Sequence, residues 1–84
     1  MGGRAGHAAR AAEVFEELLS ERLRAQGPDH LDTLATRNNL ATWQGEAGDV
    51  NTAVHSLIDL LTDARRVLGP GHPYVADIEK GLTG

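Results

Sequence analysis

The chain has 84 residues, enough for one small domain, and a core of that size typically leaves only about 3–5 kcal/mol of net stability. It has no cysteine, which excludes disulfides, thiolate zinc sites and cysteine nucleophiles. Acidic residues outnumber basic ones by 12 to 8, and a net charge of −4 is the wrong sign for capturing phosphate backbones, so we expect no nucleic-acid partner.

No segment offers the roughly 20 apolar residues that span a bilayer, and the first residues lack the apolar stretch of a secretory signal. We therefore expect a soluble, cytoplasmic protein with no membrane partner.

The first predicted helix covers about residues 8–26. Gly27-Pro28 ends it, because glycine suits the left-handed position after a helix and proline cannot continue one. The inward side of this helix is predicted to carry Ala11, Phe15, Leu18, Leu19 and Leu23.

The second predicted helix covers about residues 30–46, with Asp29 or His30 as its N-terminal cap. Gly45 and Gly48 are predicted to break it. Its apolar residues are Leu31, Leu34, Ala35, Leu40, Ala41 and Trp43. We expect Trp43, the single tryptophan, to pack between helices and not to serve as a ligand platform.

The third predicted helix covers about residues 49–68, with Asp49 as its cap and Gly69-Pro70 as its stop. Its apolar residues follow the i, i+3, i+4, i+7 spacing of one helix face. They are Val50, Ala53, Val54, Leu57, Ile58, Leu61, Ala64, Val67 and Leu68, and Leu60 widens the face. The fourth predicted helix covers about residues 72–82, with Pro73 in its first turn.

A repeat links these helices. Gly27-Pro28-Asp29-His30 recurs 42 positions later as Gly69-Pro70-Gly71-His72, and the same offset aligns Leu18-Leu19 with Leu60-Leu61. A period between 20 and 50 residues is typical of stacked arrays, and no segment shows the alternation of a strand. The sequence therefore predicts an all-α fold, a single domain over residues 1–84, in which four helices follow the order B, A, B, A of a repeated hairpin.

Several residues at fixed places in this repeat resemble the tetratricopeptide repeat (TPR) in its 42-residue form, as in kinesin light chains and the C-terminal solenoids of bacterial nucleotide-dependent regulators. These residues are Leu40-Ala41, Gly48, Ala53, Leu57, Leu60 and the segment from Leu68 to Pro73. The resemblance implies an α-hairpin solenoid fragment that binds a protein or peptide along its A helices. It nominates Ala35, Asn38, Asn39, Thr42, Asp77 and Lys80 as the partner-binding residues. For Asn38 and Asn39, a role in helix packing or at the solvated surface fits the sequence as well as a role in partner binding does.

Two departures from the family pattern are Gln44, where a large apolar residue is usual, and Gly81 in the short last helix. In the order B, A, B, A the first B helix and the last A helix each lack a partner, so we expect both to expose apolar faces. We expect these faces to be covered by self-association into a homodimer or a higher homo-oligomer. The alternative is a purely structural scaffold fragment of a longer TPR protein, natural or engineered.

The four histidines do not predict a metal site. His30 and His72 are repeat equivalents, which indicates that both cap helices, and His7 and His55 complete no ligand motif. There is no glycine-rich phosphate loop and no constellation that meets the geometric roles of catalysis. We therefore expect no cofactor, no metal and no enzymatic activity.

Overall fold

The computed structural model describes residues 3–83, with side chains from residue 6 onward, so the ends of the predicted 1–84 domain lie outside the described residues. It contains four helices, which are α1 (Gly3–Gln26), α2 (Leu31–Glu46), α3 (Val50–Leu68) and α4 (Pro73–Thr83). The all-α prediction is confirmed, since residues 3–83 contain no strand. None of the four helices is both long enough and apolar enough to cross a membrane.

The helices pack in chain order, α1 on α2, α2 on α3 and α3 on α4. The loops between them are only a few residues long, and short connections of this kind join antiparallel neighbours. The result is a flat stack of 43 × 31 × 17 Å, in which α2 and α3 have a helix on both sides and α1 and α4 on one side only.

The Gly-Pro junctions that follow α1 and α3 match after a shift of 42 positions. Gly27 and Gly69 both adopt a positive φ, at 84° and 93°, and each is followed by proline. α1 starts at Gly3, ahead of the predicted residue 8, because residues 3–7 contain no proline, and their two glycines lower the helix propensity without stopping the helix.

The two repeat-equivalent histidines make the same hydrogen bond at the start of an A helix. His30 Nδ1 accepts from the N–H of Asp32 at 3.1 Å, and His72 Nδ1 accepts from the N–H of Tyr74 at 3.0 Å. The predicted capping role of both is therefore confirmed, and of the two candidates for the cap of α2 the side chain that acts is His30.

Asp49 stands at the N-cap position of α3, as predicted, but its side chain makes no capping hydrogen bond. Its backbone lies at φ −89° and ψ 63°, outside the extended region from which a cap side chain reaches the first free N–H groups. Gly45 was also predicted to break α2, yet it lies inside that helix, which continues to Glu46.

The hydrophobic core lies between α2, α3 and α4. Its central cluster contains Leu34, Leu60, Ala64, Val75 and Ile78, all fully or almost fully buried. Leu60 was predicted only to widen the apolar face of α3, but it is 0% exposed, because it lies where α3 contacts both α2 and α4.

The α1–α2 layer is more polar than the α3–α4 layer. Thr33 and Thr36 are buried in α2, at the positions that Val75 and Ile78 occupy one repeat later. Each threonine hydroxyl donates to a backbone carbonyl oxygen at 2.8 Å, so burial leaves no unpaired donor. Trp43 also belongs to this layer, and its ring meets His7 of α1 edge-on at 5.6 Å, which confirms its interhelical packing.

Several of the large apolar residues in the predicted helices are exposed, namely Leu23, Leu31, Val50, Val54 and Ile58. α4 has 11 residues and α3 has 19, so the N-terminal half of α3 extends beyond α4 and its apolar stripe is left open. Leu23 is exposed because α1 is covered by α2 alone, and Leu31 because it is the first residue of its helix.

The prediction that the last helix exposes an apolar face is wrong. The exposed residues of α4 are Pro73, Ala76, Asp77, Lys80, Gly81 and Thr83. Ala76 stands at the position that the buried Leu34 occupies in α2, so the outward side of α4 has lost its large apolar side chain. On α1, by contrast, the expected apolar exposure is present, and Val14 is 58% exposed.

Candidate partner-binding groove

A groove of about 330 Å³ lies between the C-terminal half of α2, the N-terminal half of α3 and the last turn of α4. Its lining residues are Asn38, Ala41, Thr42, Gly45, Glu46, Ala53, Val54, Leu57 and Gly81. The lining is apolar on the α3 side and carries hydrogen-bonding groups on the α2 side, so it offers both kinds of contact to one occupant.

Small residues let α2 and α3 approach closely at the base of this groove. A Cβ atom placed on Gly45 would lie 3.6 Å from the Cβ of Ala53, which is ordinary van der Waals contact. Ala41 is buried beside them. Among residues 3–83, α4 contributes only Gly81 to this end of the α2–α3 pair and no other helix covers it, so the groove is open in the part of the chain that the structure describes.

Two of the six residues nominated from the sequence line the groove. Asn38 and Thr42 are one helical turn apart on α2, so their side chains share a face. The Thr42 hydroxyl donates to the backbone carbonyl of Asn38 at 3.0 Å, which fixes the threonine methyl group and leaves the hydroxyl oxygen able to accept a further bond.

The other four nominated residues lie near the groove without lining it. Ala35 is half-buried and precedes Asn38 by one turn on α2, and Asn39 is exposed on the adjacent side of that helix. Asp77 and Lys80 are exposed on α4, Asp77 one turn before Gly81 and Lys80 directly before it.

Asn38 also connects α2 to α4 through Tyr74. Burial raises the pKa of the Tyr74 phenol above its usual 10.0, a hydrogen bond with Asn38 lowers it in part, and the nearby charge of Asp77 raises it again. Asn38 therefore lies close to the Tyr74 phenol, and it is half-buried and not simply solvated.

Val54, Leu57 and Glu46 complete the groove, and the sequence prediction did not select them. The apolar periodicity of α3 placed Val54 and Leu57 on the core face, and a periodicity reports which side of a helix is apolar but not how far the neighbouring helix extends. The short length of α4 was the one available signal that this part of the face stays uncovered.

A second, smaller groove of about 220 Å³ lies on α1 alone, lined by Leu18, Glu21, Arg22 and Ala25. Arg22 stands where α3 has the fully buried Ala64, and its Nε atom is buried with no hydrogen-bond partner among the described residues. This side of α1 therefore combines apolar surface with an acidic and a basic group.

Ion pairs connect α3 to both of its neighbours. Arg37 of α2 contacts Asp63 of α3 at 2.7 Å, and Arg65 of α3 contacts Glu79 of α4. Arg37 and Glu79 are repeat equivalents, so the same position of an A helix is basic in α2 and acidic in α4.

A family model described as tetratricopeptide repeat matches residues 33–74, from the first turn of α2 to the first turn of α4. The match contains Asn38, Thr42, Val54 and Leu57, which line the larger groove. No curated protein and no solved structure matches the chain.

Proposed function

We propose that this chain, which belongs to the tetratricopeptide-repeat family, binds another polypeptide in the groove between α2, α3 and α4. The family match covers 42 of the 84 residues, and the family is a non-catalytic repeat family that generally mediates protein interactions. Membership of the 42-residue subclass found in kinesin light chains and bacterial regulators is part of the proposal, supported by the 42-residue offset of the Gly-Pro junctions.

The observation that carries the proposal is the pairing of two kinds of side chain in one groove. Asn38 and Thr42 offer hydrogen-bonding groups that suit a peptide main chain, and Val54 and Leu57 offer an apolar wall for one of its side chains. A volume of about 330 Å³ accommodates one or two side chains of an extended peptide or a short helix.

The experiment is a selection of short peptides from a display library against the purified chain, followed by affinity measurements on two variants. Val54→Asp and Ile58→Asp make the same change at exposed apolar positions one turn apart on α3, 39% and 49% exposed, and only Val54 lines the groove. Val54→Asp is expected to weaken the selected peptides by about tenfold or more, and Ile58→Asp by much less. Equal effects of the two changes would contradict the groove as the binding site.

A second pair of substitutions tests the alternative, a purely structural scaffold. Asn38→Ala combined with Asn39→Ala should abolish peptide binding and leave the helical circular dichroism unchanged, because both side chains lie outside the core. Binding that survives these substitutions, or a library that returns no groove-dependent peptide, favours the scaffold role.

Self-association is a second candidate function, favoured by the apolar residues that α1 leaves open. Val14 and Leu23 are both exposed, and Leu18 is half-buried where its repeat equivalent Leu60 is fully buried. A second copy would cover this surface and add apolar burial that the chain lacks on this side. Light scattering that gives the monomer mass at high micromolar concentration would reject this candidate.

A further inference from the structure

We infer that two copies of the chain associate through α1 of each, as an antiparallel closed pair, and not by stacking α4 of one copy on α1 of the next. The inference rests on the self-association part of the proposed function and is independent of the peptide groove. α1 and α3 are equivalent helices of the repeat. The contacts around α3 therefore show what each residue of α1 would meet if a second copy continued the stack.

The outward side of α4 is not built to receive α1. Inside the chain, α2 offers Leu34 and Ala41 to α3, and both are almost completely buried. The equivalent positions of α4 are Ala76 and Thr83, and both are exposed. Leu18 of a second copy, placed where Leu60 lies on α3, would lose the large apolar neighbour that Leu34 provides.

Charge argues in the same direction. The equivalents of Arg37 and Asp63, which form an ion pair between α2 and α3, are Glu79 on α4 and Glu21 on α1. A second copy stacked on α4 in the internal geometry would therefore place an acidic residue opposite an acidic residue. Two like charges held as close together as Arg37 and Asp63 are inside the chain oppose association.

The loop contact of the repeat would also be absent. Arg66, near the end of α3, contacts Asp29 of the α1–α2 loop at 2.9 Å. In a head-to-tail stack the equivalent of Arg66 is Arg24, and the equivalent of Asp29 is Gly71, which has no carboxylate. A head-to-tail contact thus loses two ion pairs and the large apolar side chain that Leu34 supplies inside the chain.

α1 fits α1 of a second copy better than it fits α4 of a second copy. The four residues that line its groove are symmetric about the point between Glu21 and Arg22, so an antiparallel pairing about that point places Leu18 over Ala25 and Glu21 beside Arg22. A twofold axis makes each of these contacts twice. The large leucine meets a small alanine, and the acidic group of each copy meets the basic group of the other.

This pairing also limits the size of the assembly. An isologous interface uses the same surface on both copies and closes on itself, so it gives a dimer and no fibre. Sedimentation velocity over a range from low to high micromolar concentration should show a monomer–dimer equilibrium. A monomer at the highest concentration, or a series of larger species, would overturn the inference.

A charge reversal distinguishes the two arrangements, because they predict opposite results. Glu21→Arg places a positive charge beside Arg22 in the α1–α1 pair and should weaken the dimer by about tenfold or more. In a head-to-tail stack the same change faces Glu79 and should strengthen association. Unchanged or stronger self-association in this variant would therefore count against the α1–α1 pair.

The double variant Glu21→Arg with Arg22→Glu restores the complementary pair and should recover the dimer. Lys80→Glu, a charge reversal on α4, is the matched control and should leave the dimer unchanged, since α4 takes no part in the interface. A double variant that stays monomeric with normal helicity, or a loss of the dimer in Lys80→Glu, would overturn the inference.

The chain has no cysteine, so the register can be tested by engineered disulfides. A mixture of Leu18→Cys and Ala25→Cys chains should form covalent dimers faster than either variant alone, because the antiparallel pairing brings position 18 beside position 25 of the other copy. Faster pairing within either single variant contradicts the register. Binding of a selected peptide to the Glu21→Arg variant should be normal, which separates a failure of this inference from a failure of the groove.

Discussion

Oδ1 of Asp29 lies 2.9 Å from Nη2 of Arg66, a contact that joins the α1–α2 loop to the end of α3. A second contact, from Arg66 Nη1 to Asp29 Oδ2 at 3.3 Å, makes the pair two-pronged. The hydrogen bond from Arg66 holds the pKa of the Asp29 carboxyl below its usual 3.8. Both groups are exposed, so solvent screens the pair, and we expect its main signature in the titration and not in the stability.

Arg66→Gln should raise the pKa of Asp29 to near its usual 3.8, because the substitution weakens the hydrogen bond and removes the positive charge that lower it. The side-chain carboxyl resonance of Asp29, followed by NMR from neutral to acid pH, measures this directly. Since the folded-state pKa is lowered, any stability from the pair is present above the unfolded-state pKa and is lost as the pH falls through the folded value.

Arg65→Gln is the control for this titration, because Arg65 contacts Glu79 and not Asp29. It should leave the Asp29 titration where it is in the unmodified chain. An Asp29 midpoint that does not move in Arg66→Gln contradicts the role assigned to the pair.

Leu60 and Leu18 occupy the same position of the repeat in different surroundings, so one substitution can be compared at two sites. Leu60→Ala should cost about 2–5 kcal/mol, because it leaves a cavity between α2, α3 and α4. Leu18→Ala should cost less than about 2 kcal/mol, since α1 is covered on one side only and solvent fills the gap. Urea unfolding at low protein concentration, where a dimer is dissociated, measures both.

The loss in Leu60→Ala approaches the stability expected of so small a domain, so this variant can unfold outright. Leu60→Val then serves as a milder change, with an expected loss of about 1 kcal/mol. Equal losses for valine at positions 60 and 18 contradict the difference in packing between the two layers.

The sequence predicted the helices well where local chemistry decides the outcome. The Gly-Pro pairs after α1 and α3 stop a helix through their own backbone properties, and His30 and His72 bond to N–H groups two residues away. Such signals need no knowledge of the rest of the molecule, and a repeat presents each of them twice.

Exposure could not be predicted in the same way, because it depends on distant parts of the chain. Val54 and Leu57 have the spacing of core residues, and they line a groove because α4 reaches this part of α3 only with its last turn, at Gly81. Asn38 and Thr42 were nominated from the resemblance to the TPR family. That resemblance indicated the binding face of the A helix but not the α3 residues on the other side of the groove. The polar side of α4 was missed because Ala76 is an unremarkable helix residue until it is compared with Leu34.

The capping histidines give a prediction that distinguishes the hydrogen bond from the bulk of the ring. His30→Ala removes the acceptor for the N–H of Asp32 and should cost about 1 kcal/mol. His30→Asn keeps an acceptor that is favoured at this position and should cost much less. Thermal unfolding monitored by circular dichroism gives both values, and the same pair of changes at His72 should follow the same order. An asparagine variant as unstable as the alanine variant would show that the ring matters for packing and not for capping.

Gly45 and Gly48 should respond in opposite directions to the same substitution. Gly48 lies in the α2–α3 turn at φ 99°, a conformation that costs other residues roughly 1–2 kcal/mol, so Gly48→Ala should destabilise the chain by about that amount. Gly45 lies inside α2, where alanine is favoured over glycine by about 0.5–1 kcal/mol, and the added Cβ would meet Ala53 at an ordinary 3.6 Å. Gly45→Ala should therefore stabilise the helix, and the urea midpoints of the two variants should lie on either side of that of the unmodified chain. A lowered urea midpoint for both variants would mean that the close approach of α2 and α3, on which the floor of the groove depends, tolerates no added atom at Gly45.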